Sequence, residues 1–410
     1  MMMKIRKSVY SAMGKLNVEA LRKHQLKPIN SILNGNDTMV IAPTSFGKSL
    51  IYQIPAIINK NALTVVIEPL LALMHDQVNK LKQHGISAEY LDSTLPPRES
   101  QLIKVRTYLG KVNILYISPE RLETGILSAI SQYQKIGMIV VDECHCVTSW
   151  GNTFRKAYLD IGQYINELPY HPVIVALSAS APPEDRPEIM NLLSMQHAQC
   201  FQISLYRSNL SFAKTAVSSR KAQRKQLMKF MRKYHKHTTI VFCNTKKAAE
   251  YVAKKLKEKY PNDVLLYHSK SKHNDRNLLS GKQHIIVATT ALSMGVDIPN
   301  VDLVIHFNLP LSIPDYYQMS GRAGREDQHA RSILLYNRDD YFGNYSLLQQ
   351  IDDSQSRKNA IAKLDAMRAL AEDDKHCMVR QMLQSLGDAH EKDCRYCTNC
   401  QKERKGQKAR

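Results

Sequence analysis

Four groups of residues in this sequence have the types and spacing to do chemistry. The segment Ala42-Pro43-Thr44-Ser45-Phe46-Gly47-Lys48-Ser49 sets a lysine and a hydroxyl after a loop, between an apolar run and the helix-like stretch Leu50–Ile58. A strand, loop and helix in that order aim backbone N–H groups and the positive end of the helix at phosphates, with Lys48 reaching the β- and γ-phosphates and Ser49 holding Mg²⁺. Ala42 takes the place of the usual first glycine, and Ser45-Phe46 stand where glycines would ease the approach of the backbone. The second group is Ile139-Val140-Val141-Asp142-Glu143, an apolar run ending in two acids. At the carboxyl edge of a parallel strand, Asp142 can hold the Mg²⁺ shell while Glu143 orients and deprotonates an attacking water. The third is Gln318-Met319-Ser320-Gly321-Arg322-Ala323-Gly324-Arg325, where two arginines three apart are expected on one face of a helix turn, able to neutralise charge on a transferring phosphoryl group. The fourth is Cys377 followed by Cys394, Cys397 and Cys400, four thiolates suited to a closed tetrahedral Zn²⁺ site, with free thiols or an iron–sulfur cluster as alternatives.

The elements that must position these groups are legible in outline. Short β-branched runs at Thr38–Ala42, Thr64–Glu68, Asn113–Ile117, Ile136–Val141, Val173–Leu177 and Phe201–Leu205 are mostly apolar throughout, as strands buried on both faces should be. Between them lie stretches of helical period, such as Leu73, Met74, Val78 and Leu81. A second series runs through Thr238–Cys243, Val264–Leu266, His284–Thr289, Asp302–Phe307 and Arg331–Tyr336. Both series predict α/β folding around a parallel sheet. The basic stretch Ser218–Lys225 between them reads as a linker or as the start of a surface helix, and from Asp339 the pattern turns to polar, helix-like sequence that ends in the cysteine cluster and a basic tail. Three domains are expected, at 1–207, 208–338 and 339–410, the last a small zinc module without a core of its own.

Composition sets the class. A length of 410 residues exceeds one compact core. The 57 Lys and Arg exceed the 37 Asp and Glu by a net +20, which favours a polyanionic partner, and a hydrophobic fraction of 43% excludes a mostly disordered chain. No apolar run approaches the roughly 20 residues that span a bilayer, and the start lacks the apolar stretch of a secretion signal, so a soluble intracellular protein is expected, with cysteines serving metal rather than disulfides.

Taken together, these motifs resemble a superfamily 2 helicase with two RecA-like domains, and narrow to the RecQ family. Leu21-Arg22-Lys23-His24-Gln25 resembles the family's adenine-reading segment. Glu68-Pro69-Leu70, Asp92-Ser93-Thr94 and Ser118-Pro119-Glu120-Arg121-Leu122 resemble its first-domain DNA-facing motifs, and Ser178-Ala179-Ser180 its coupling motif. The run Val287–Asp297 is similar to the second domain's nucleic-acid and nucleotide segment. Most diagnostic is His145-Cys146-Val147-Thr148-Ser149-Trp150-Gly151-Asn152-Thr153-Phe154-Arg155, which resembles the aromatic-rich loop that senses single-stranded DNA. Trp150 and Phe154 offer π faces for bases and Arg155 offers charge.

The resemblance implies an ATP-dependent DNA helicase moving 3′ to 5′ on single-stranded DNA, acting on forked duplex in repair or recombination, with ATP, Mg²⁺ and Zn²⁺. It implies that Arg22 and Gln25 contact the base, that Thr44, Ser45, Phe46, Gly47, Lys48, Ser49 and Asp297 line the nucleotide, that Arg322 and Arg325 complete the site from the second domain, and that His145, Trp150, Phe154 and Arg155 meet DNA, with His145 and Gln318 coupling the two events. The sequence departs from the family at Ser45, Phe46, Val18 and Ser180, looks short between His268 and Gly281, and ends at Arg410 without the winged helix common in the family. Two other readings stand beside it: an RNA-directed helicase of the same superfamily, and a zinc-stabilised DNA-binding or annealing protein that no longer hydrolyses ATP.

Overall fold

In a computed structural model, the protein is described over residues 6–44, 46–147, 155–268, 284–292, 298–325 and 328–408, with only the backbone described at 155, 156 and 405–408. Two compact units meet in sequence between Ile203 and Ser204.

The first unit is built on a seven-stranded sheet. Its strands are β1 (Thr38–Ile41), β2 (Leu63–Ile67), β3 (Ala88–Leu91), β4 (Ile114–Ile117), β5 (Ile136–Val141), β6 (Val173–Ser178) and β7 (Gln199–Gln202), in the order β3-β4-β2-β5-β6-β1-β7. Every neighbouring pair is parallel. Parallel neighbours require crossovers, and the helices that supply them cover the sheet, which is why β1, β2 and β4 are buried at every residue. The helix Leu71–Gln83 turns Met74, Val78 and Leu81 into this core, as the helical period predicts. One strand escapes the sequence reading: β3 is short, lies at the sheet edge and carries Glu89, whose carboxylate is paired with Lys82 and Arg106. The strand expected at Phe201–Leu205 is found three residues or fewer earlier, as β7, another edge position with no continuous apolar run to mark it.

A buried acid ties the amino ends of three strands together. Asp37 accepts hydrogen bonds from Ile174 N at 2.8 Å, at the start of β6, and from Gln196 N at 2.6 Å, before β7, and pairs with His171 at 2.9 Å.

The second unit has six strands: β8 (Leu210–Val217), β9 (Thr239–Phe242), β10 (Val264–Tyr267), β11 (Ile285–Ala288), β12 (Leu303–His306) and β13 (Ala330–Asn337), all parallel, in the order β10-β11-β9-β12-β13-β8. β8 is the other strand the sequence does not reveal, an edge strand with a lysine in its middle. The basic stretch after it is not a linker. Ser219 caps the helix Arg220–Tyr234 by accepting from Ala222 N, and Gln223, Leu227 and Met231 bury one face of that helix.

The segment beyond β13 belongs to this second unit and has apolar packing of its own, which corrects the expectation of a coreless zinc module. Helices Arg338–Leu348, Ser354–Glu372, Met378–Ser385 and Thr398–Lys408 follow one another, and Leu364, Met367, Met378, Met382 and Leu383 are fully buried among them. Lys214 of β8 fastens the segment to the sheet. Its ammonium, buried beside the end of the long helix, donates to Ala371 O at 2.9 Å and to Asp373 O, and pairs with Asp374 at 3.3 Å. Among the described residues no helix is long and apolar enough to cross a membrane.

Replacing Asp37 by alanine strands one buried N–H group, that of Ile174, and frees a second, part-buried one at Gln196, and is expected to cost about 1–3 kcal/mol. The check is urea denaturation, in which the transition of the first unit should move to lower urea; an unmoved midpoint would contradict the tie.

Candidate active site and metal centre

In the first unit the motif residues from the phosphate loop onward share one geometric property: each lies at or just after the carboxyl end of a parallel strand, the edge at which open α/β sheets bind ligands. The phosphate loop follows β1, Glu68 follows β2, Asp92 follows β3, Ser118 follows β4, Asp142-Glu143 follow β5, and Ser178 closes β6.

The loop after β1 leads into the helix Lys48–Ile58, whose first turn has no side-chain cap; Leu50 N donates to Gly47 O at 3.2 Å, which leaves the N–H groups of Lys48 and Ser49 for a ligand or water. Gly47 sits at φ +83°, and a Cβ there would lie 2.9 Å from Gln25 Nε2. That amide donates to Phe46 O at 3.1 Å and Gly47 O at 3.2 Å, while Gln25 Oε1 accepts from Arg22 N at 2.7 Å. Gln25 is thus a buried brace of the loop, a role the sequence does not announce. Phe46, in a glycine's place, packs with Val18 and Leu21 against the core of the unit. Thr44 and Ser49 flank the same loop, both half-buried; Ser45 lies outside the described residues.

Asp142 and Glu143 occupy the turn after β5. Tyr158 donates to Asp142 O at 2.9 Å, Glu143 N donates to Asp142 Oδ1 at 2.8 Å, and Glu143 holds φ +48°, a left-handed conformation that a non-glycine residue adopts only when its surroundings enforce it. His145 Nδ1 lies 3.3 Å from Glu143 Oε2 and 3.1 Å from Ser178 Oγ, which also accepts from Ser180 N at 3.0 Å. A chain of polar contacts therefore joins Glu143 through His145 to the Ser178-Ala179-Ser180 turn. His145 is buried, a position that suits relay rather than direct contact with a strand. Trp150 and Phe154 lie outside the described residues, and Arg155 opens the short helix Arg155–Leu159.

Glu68 is not at a DNA-facing surface. Its carboxyl is 1% exposed, accepts from Leu70 N at 3.2 Å, and is pushed well up by burial and by the charges of Asp142 and Glu143, with Lys48 opposing. Asp142 is pushed up to about 6 by burial, then by Glu143, again with Lys48 partly offsetting. Three carboxyls thus crowd one lysine in a poorly hydrated place. Hard oxygen donors with excess negative charge fit a Mg²⁺ ion, for which Asp142 and Ser49 are the candidate ligands.

Asp92 organises the remaining motifs. Fully buried, it accepts from Thr94 N and Thr94 Oγ1, both at 2.7 Å, pairs with His75 at 2.6 Å, and gives its own carbonyl to Arg121. Burial pushes its carboxyl up, but the bonds from Thr94 and His75 outweigh that and hold it below the usual carboxylate range. Two of the three motifs expected to face DNA are joined here: Arg121 of Ser118–Leu122 donates to the backbone carbonyl of Asp92, whose side chain holds Thr94.

In the second unit, the helix Ile313–Ser320 carries Gln318, buried, with its Nε2 lacking a partner among the described residues. The helix stops at Ser320, so Arg322 and Arg325 lie in the turn beyond it, not on a helix face as the spacing suggests. Two residues missed in the sequence hold that turn by its carbonyls. Arg207 donates to Gly321 O at 3.2 Å and to Gly324 O, and Asn209 donates to Gly324 O at 2.6 Å. Gly324 is at φ +67° with Gln328 O 2.9 Å from where a Cβ would stand. An Arg-x-Asn ahead of an unrecognised edge strand carries no spacing signal of its own. Behind the helix, His306 is held neutral, its pKa pushed down to about 3 by burial, and contacts Ser320 Oγ at 3.1 Å. Thr289–Leu292 follow β11; Asp297 lies outside the described residues.

The four cysteines come together. Cys377, Cys394, Cys397 and Cys400 are all buried with their sulfurs within 4.8 Å of one another. Cys397 Sγ lies 3.5 Å from Cys400 Sγ and 4.0 Å from Cys377 Sγ, around the value of about 3.8 Å that tetrahedral Zn–S bonds of about 2.3 Å require. Backbone N–H groups of Arg380 and Cys394 point at Cys377 Sγ, and those of Tyr396 and Cys397 at Cys394 Sγ, the donors a thiolate needs. Without a cation the sulfurs compete for ionisation: Cys397 is pulled down by its bonds with Cys377 and Cys394, and Cys394 is pushed up by the same kind of contact. A dication removes that conflict. Cys144, Cys146 and Cys243 are buried elsewhere as packing residues.

Two tests follow from these geometries. A carboxyl that holds its proton more tightly folded than unfolded costs the folded state stability above its folded pKa, and the cost disappears as pH falls to the unfolded value. Asp142→Asn is therefore expected to raise the urea midpoint of the metal-free first unit at pH 7 and to match wild type near pH 4; equal midpoints at both pH values would contradict the crowding. For the cysteines, elemental analysis should find one zinc per chain, lost in Cys397→Ser together with part of the helical circular dichroism.

Comparison with known proteins agrees with this geometry. Residues 22–189 match the DEAD/DEAH box helicase family, 222–327 the helicase conserved C-terminal domain, and 338–401 the RecQ zinc-binding family. The chain is 34% identical over 387 residues to the ATP-dependent DNA helicase RecQ of Pasteurella multocida, covering 93% of this chain and 60% of that protein. It is 33% identical over 361 residues to the probable ATP-dependent DNA helicase RecS of Bacillus subtilis, covering 87% and 70%. Solved structures similar in fold include Mss116p bound to single-stranded RNA and AMP-PNP, at TM-score 0.69 and 15% identity over 95% of this chain and 90% of that one. Another is the Mycobacterium smegmatis helicase Lhr bound to single-stranded DNA and AMP-PNP, at 0.66 and 21% over 94% and 56%. At such identities these establish the fold, two RecA-like parallel-sheet units. The chain spans about 60% of the length of the RecQ protein it matches in Pasteurella. With a helicase core in both units and the zinc cysteines behind them, in that order and over nine tenths of its length, this chain belongs to the RecQ helicase family.

Proposed function

We propose that the protein is an ATP-dependent DNA translocase and helicase, moving 3′ to 5′ on single-stranded DNA and parting forked duplex in repair or recombination. The observation that carries this reading is the cluster at the carboxyl edge of the first sheet, where Lys48, Asp142 and Glu143 follow adjacent or near-adjacent strands and the carboxyls are crowded enough to favour a cation. ATP would lie on the phosphate loop with Thr44, Phe46, Gly47, Lys48 and Ser49 about its phosphates and Arg22 at the base, while Gln25, buried, braces the loop rather than contacting the base itself. Mg²⁺, when bound by Ser49 and Asp142 with the nucleotide, would neutralise charge on the β- and γ-phosphates. Glu143 takes the proton of the attacking water, and the left-handed backbone at that position fixes the direction of its carboxylate. His145, between Glu143 and Ser178, links the state of that carboxylate to the turn after β6. Arg322 and Arg325 would supply positive charge as the γ-phosphoryl group departs, and the carbonyl clamp by Arg207 and Asn209 sets the turn that presents them. Alternation of nucleotide states would shift the population of closed and open arrangements and so step the protein along the strand.

Glu143→Gln is expected to keep ATP binding and lower the hydrolysis rate by at least about 100-fold, the usual worth of a general base. ATP turnover with and without single-stranded DNA, beside turnover with single-stranded RNA and unwinding of a forked duplex, decides the reading. DNA-stimulated turnover with unwinding supports it; stimulation by RNA alone, or turnover in Glu143→Gln equal to wild type, overturns it.

A further inference from the structure

The charge of this protein is concentrated where none of the motif residues lie. In the helix Arg220–Tyr234, seven of the 15 residues are Lys or Arg and none is acidic. In the helix Lys246–Lys257, five of 12 are Lys and one is Glu. Twelve cations against one acid on two helices supply more than half of the chain's net +20. The helices are neighbours. They enclose a groove of about 330 Å³ lined by Lys221, Arg224, Lys225, Tyr251 and Lys255, and Arg224 donates to Tyr251 OH at 2.7 Å across it.

The apolar faces of both helices are committed to the second sheet through Leu227, Met231, Val252 and Leu256, so the cations face outward, and all twelve are exposed. Among the described residues, ion pairs engage only Arg220, with Asp340, and Lys255, with Glu258. Lys221, Lys225, Lys229 and Lys254 make no ion pair among those residues, and the one carboxylate lining the groove, Glu258, is paired with Lys255. Holding so many like charges on one face works against the fold by self-repulsion unless an anion relieves it.

We propose that this two-helix face is a second nucleic-acid contact, distinct from the sheet edges that carry the motifs, and that it grips the phosphate backbone of duplex DNA. The occupant follows from the chemistry. The one large exposed ring within the groove, Tyr251, is held under Arg224 at 5.5 Å, so bases find no free stacking platform and a single strand has no advantage there. Duplex DNA presents about one negative charge per 1.7 Å along its axis, and a helix of 15 residues is about 22 Å long, a span of about 13 such charges. An anionic bilayer would call for several protruding apolar side chains as well, and the one large exposed ring of this face is Tyr251. The inference rests on the reading of the chain as a DNA-acting protein, and adds a site that holds the duplex while the motif edges work on the strand.

The test uses the full chain with Lys221→Gln, Arg224→Gln, Lys225→Gln and Lys229→Gln combined, and a control in which the three lysines become arginine. Binding of a blunt, fluorescently labelled duplex of about 30 base pairs is followed by anisotropy as salt is varied. Each phosphate left without its cation should flatten the plot of log K against log salt by about 0.9, so the glutamine set is expected to lower the slope by about 3 to 4 and to weaken binding at least about tenfold near 0.1 M salt, with the arginine set close to wild type. ATP turnover at saturating single-stranded DNA should be unchanged in both sets. A duplex affinity and slope equal to wild type in the glutamine set overturns the proposal, as does loss of binding to anionic phosphatidylserine vesicles with duplex binding intact. Loss of strand-stimulated turnover in parallel with duplex binding overturns it too, since the face would then belong to the motor path. Absence of stimulated turnover in wild type itself would instead count against the motor reading, while the duplex comparison still stands.

Discussion

Buried negative charge at the end of β5 is the constraint around which the first unit is arranged. Asp142, Glu143 and Glu68 are brought into one poorly hydrated place, where each raises the cost of ionising the others, and a single ammonium, that of Lys48, opposes them. A protein shaped only for stability would not hold three carboxyls so. The surrounding structure carries the cost: a seven-stranded sheet buried along its central strands, Tyr158 on the carbonyl of Asp142, and Asp37 fastening the opposite ends of β1, β6 and β7. What the arrangement gains is an imbalance that a dication and a phosphate chain together can resolve.

The second unit holds two arginines on a short turn beyond its helix, the first of them, Arg322, buried. Carbonyls, not side chains, are the handles. Arg207 and Asn209, which precede β8, reach the carbonyls of Gly321 and Gly324, and the left-handed glycine lets the chain pass close by. The same leading segment is bound to the cysteine module, since Ser204 donates to Asp388 at 3.1 Å and Tyr206 stacks on His390 at 4.3 Å. From the middle of β8, Lys214 caps the long helix ahead of the cysteines. The cysteine module is therefore tied both to the segment that precedes β8 and to the middle of that strand.

What could be read from the sequence, and what could not, divides along physical lines. Central strands are continuous apolar runs because both faces are covered, so β1, β2, β4, β5 and β6 declare themselves, as do β9, β11 and β12. Edge strands need no such run: β3 with Glu89 and β8 with Lys214 hide for that reason, and β7 is displaced from its expected place. The four cysteines were legible because metal ligands in one module keep short spacings. Arg207 and Asn209 were not, and Gln25 was legible as a base contact and not as a brace, because all three act on backbone carbonyls, and any carbonyl looks alike in a sequence. Glu68 carried the same signal as Asp142, an acid closing an apolar strand, and its resemblance to a DNA-facing motif obscured it. The arginine spacing suggested a helix face, but the glycine at 321 ends the helix first.

The phosphate loop departs from a glycine-rich one in a way that changes when its ordering is accomplished. Phe46 sinks its ring against the core and Gln25 grips the two carbonyls at the loop's tip, so the segment is fastened from both sides before any ligand arrives. A loop rich in glycine loses much freedom at the moment of capture, whereas this one surrendered it during folding, and left-handed backbone survives there only at Gly47 among the described residues. The backbone at Phe46 and Gly47 is consequently set in advance, so a ligand of this loop would meet a shape already made and not one moulded on arrival.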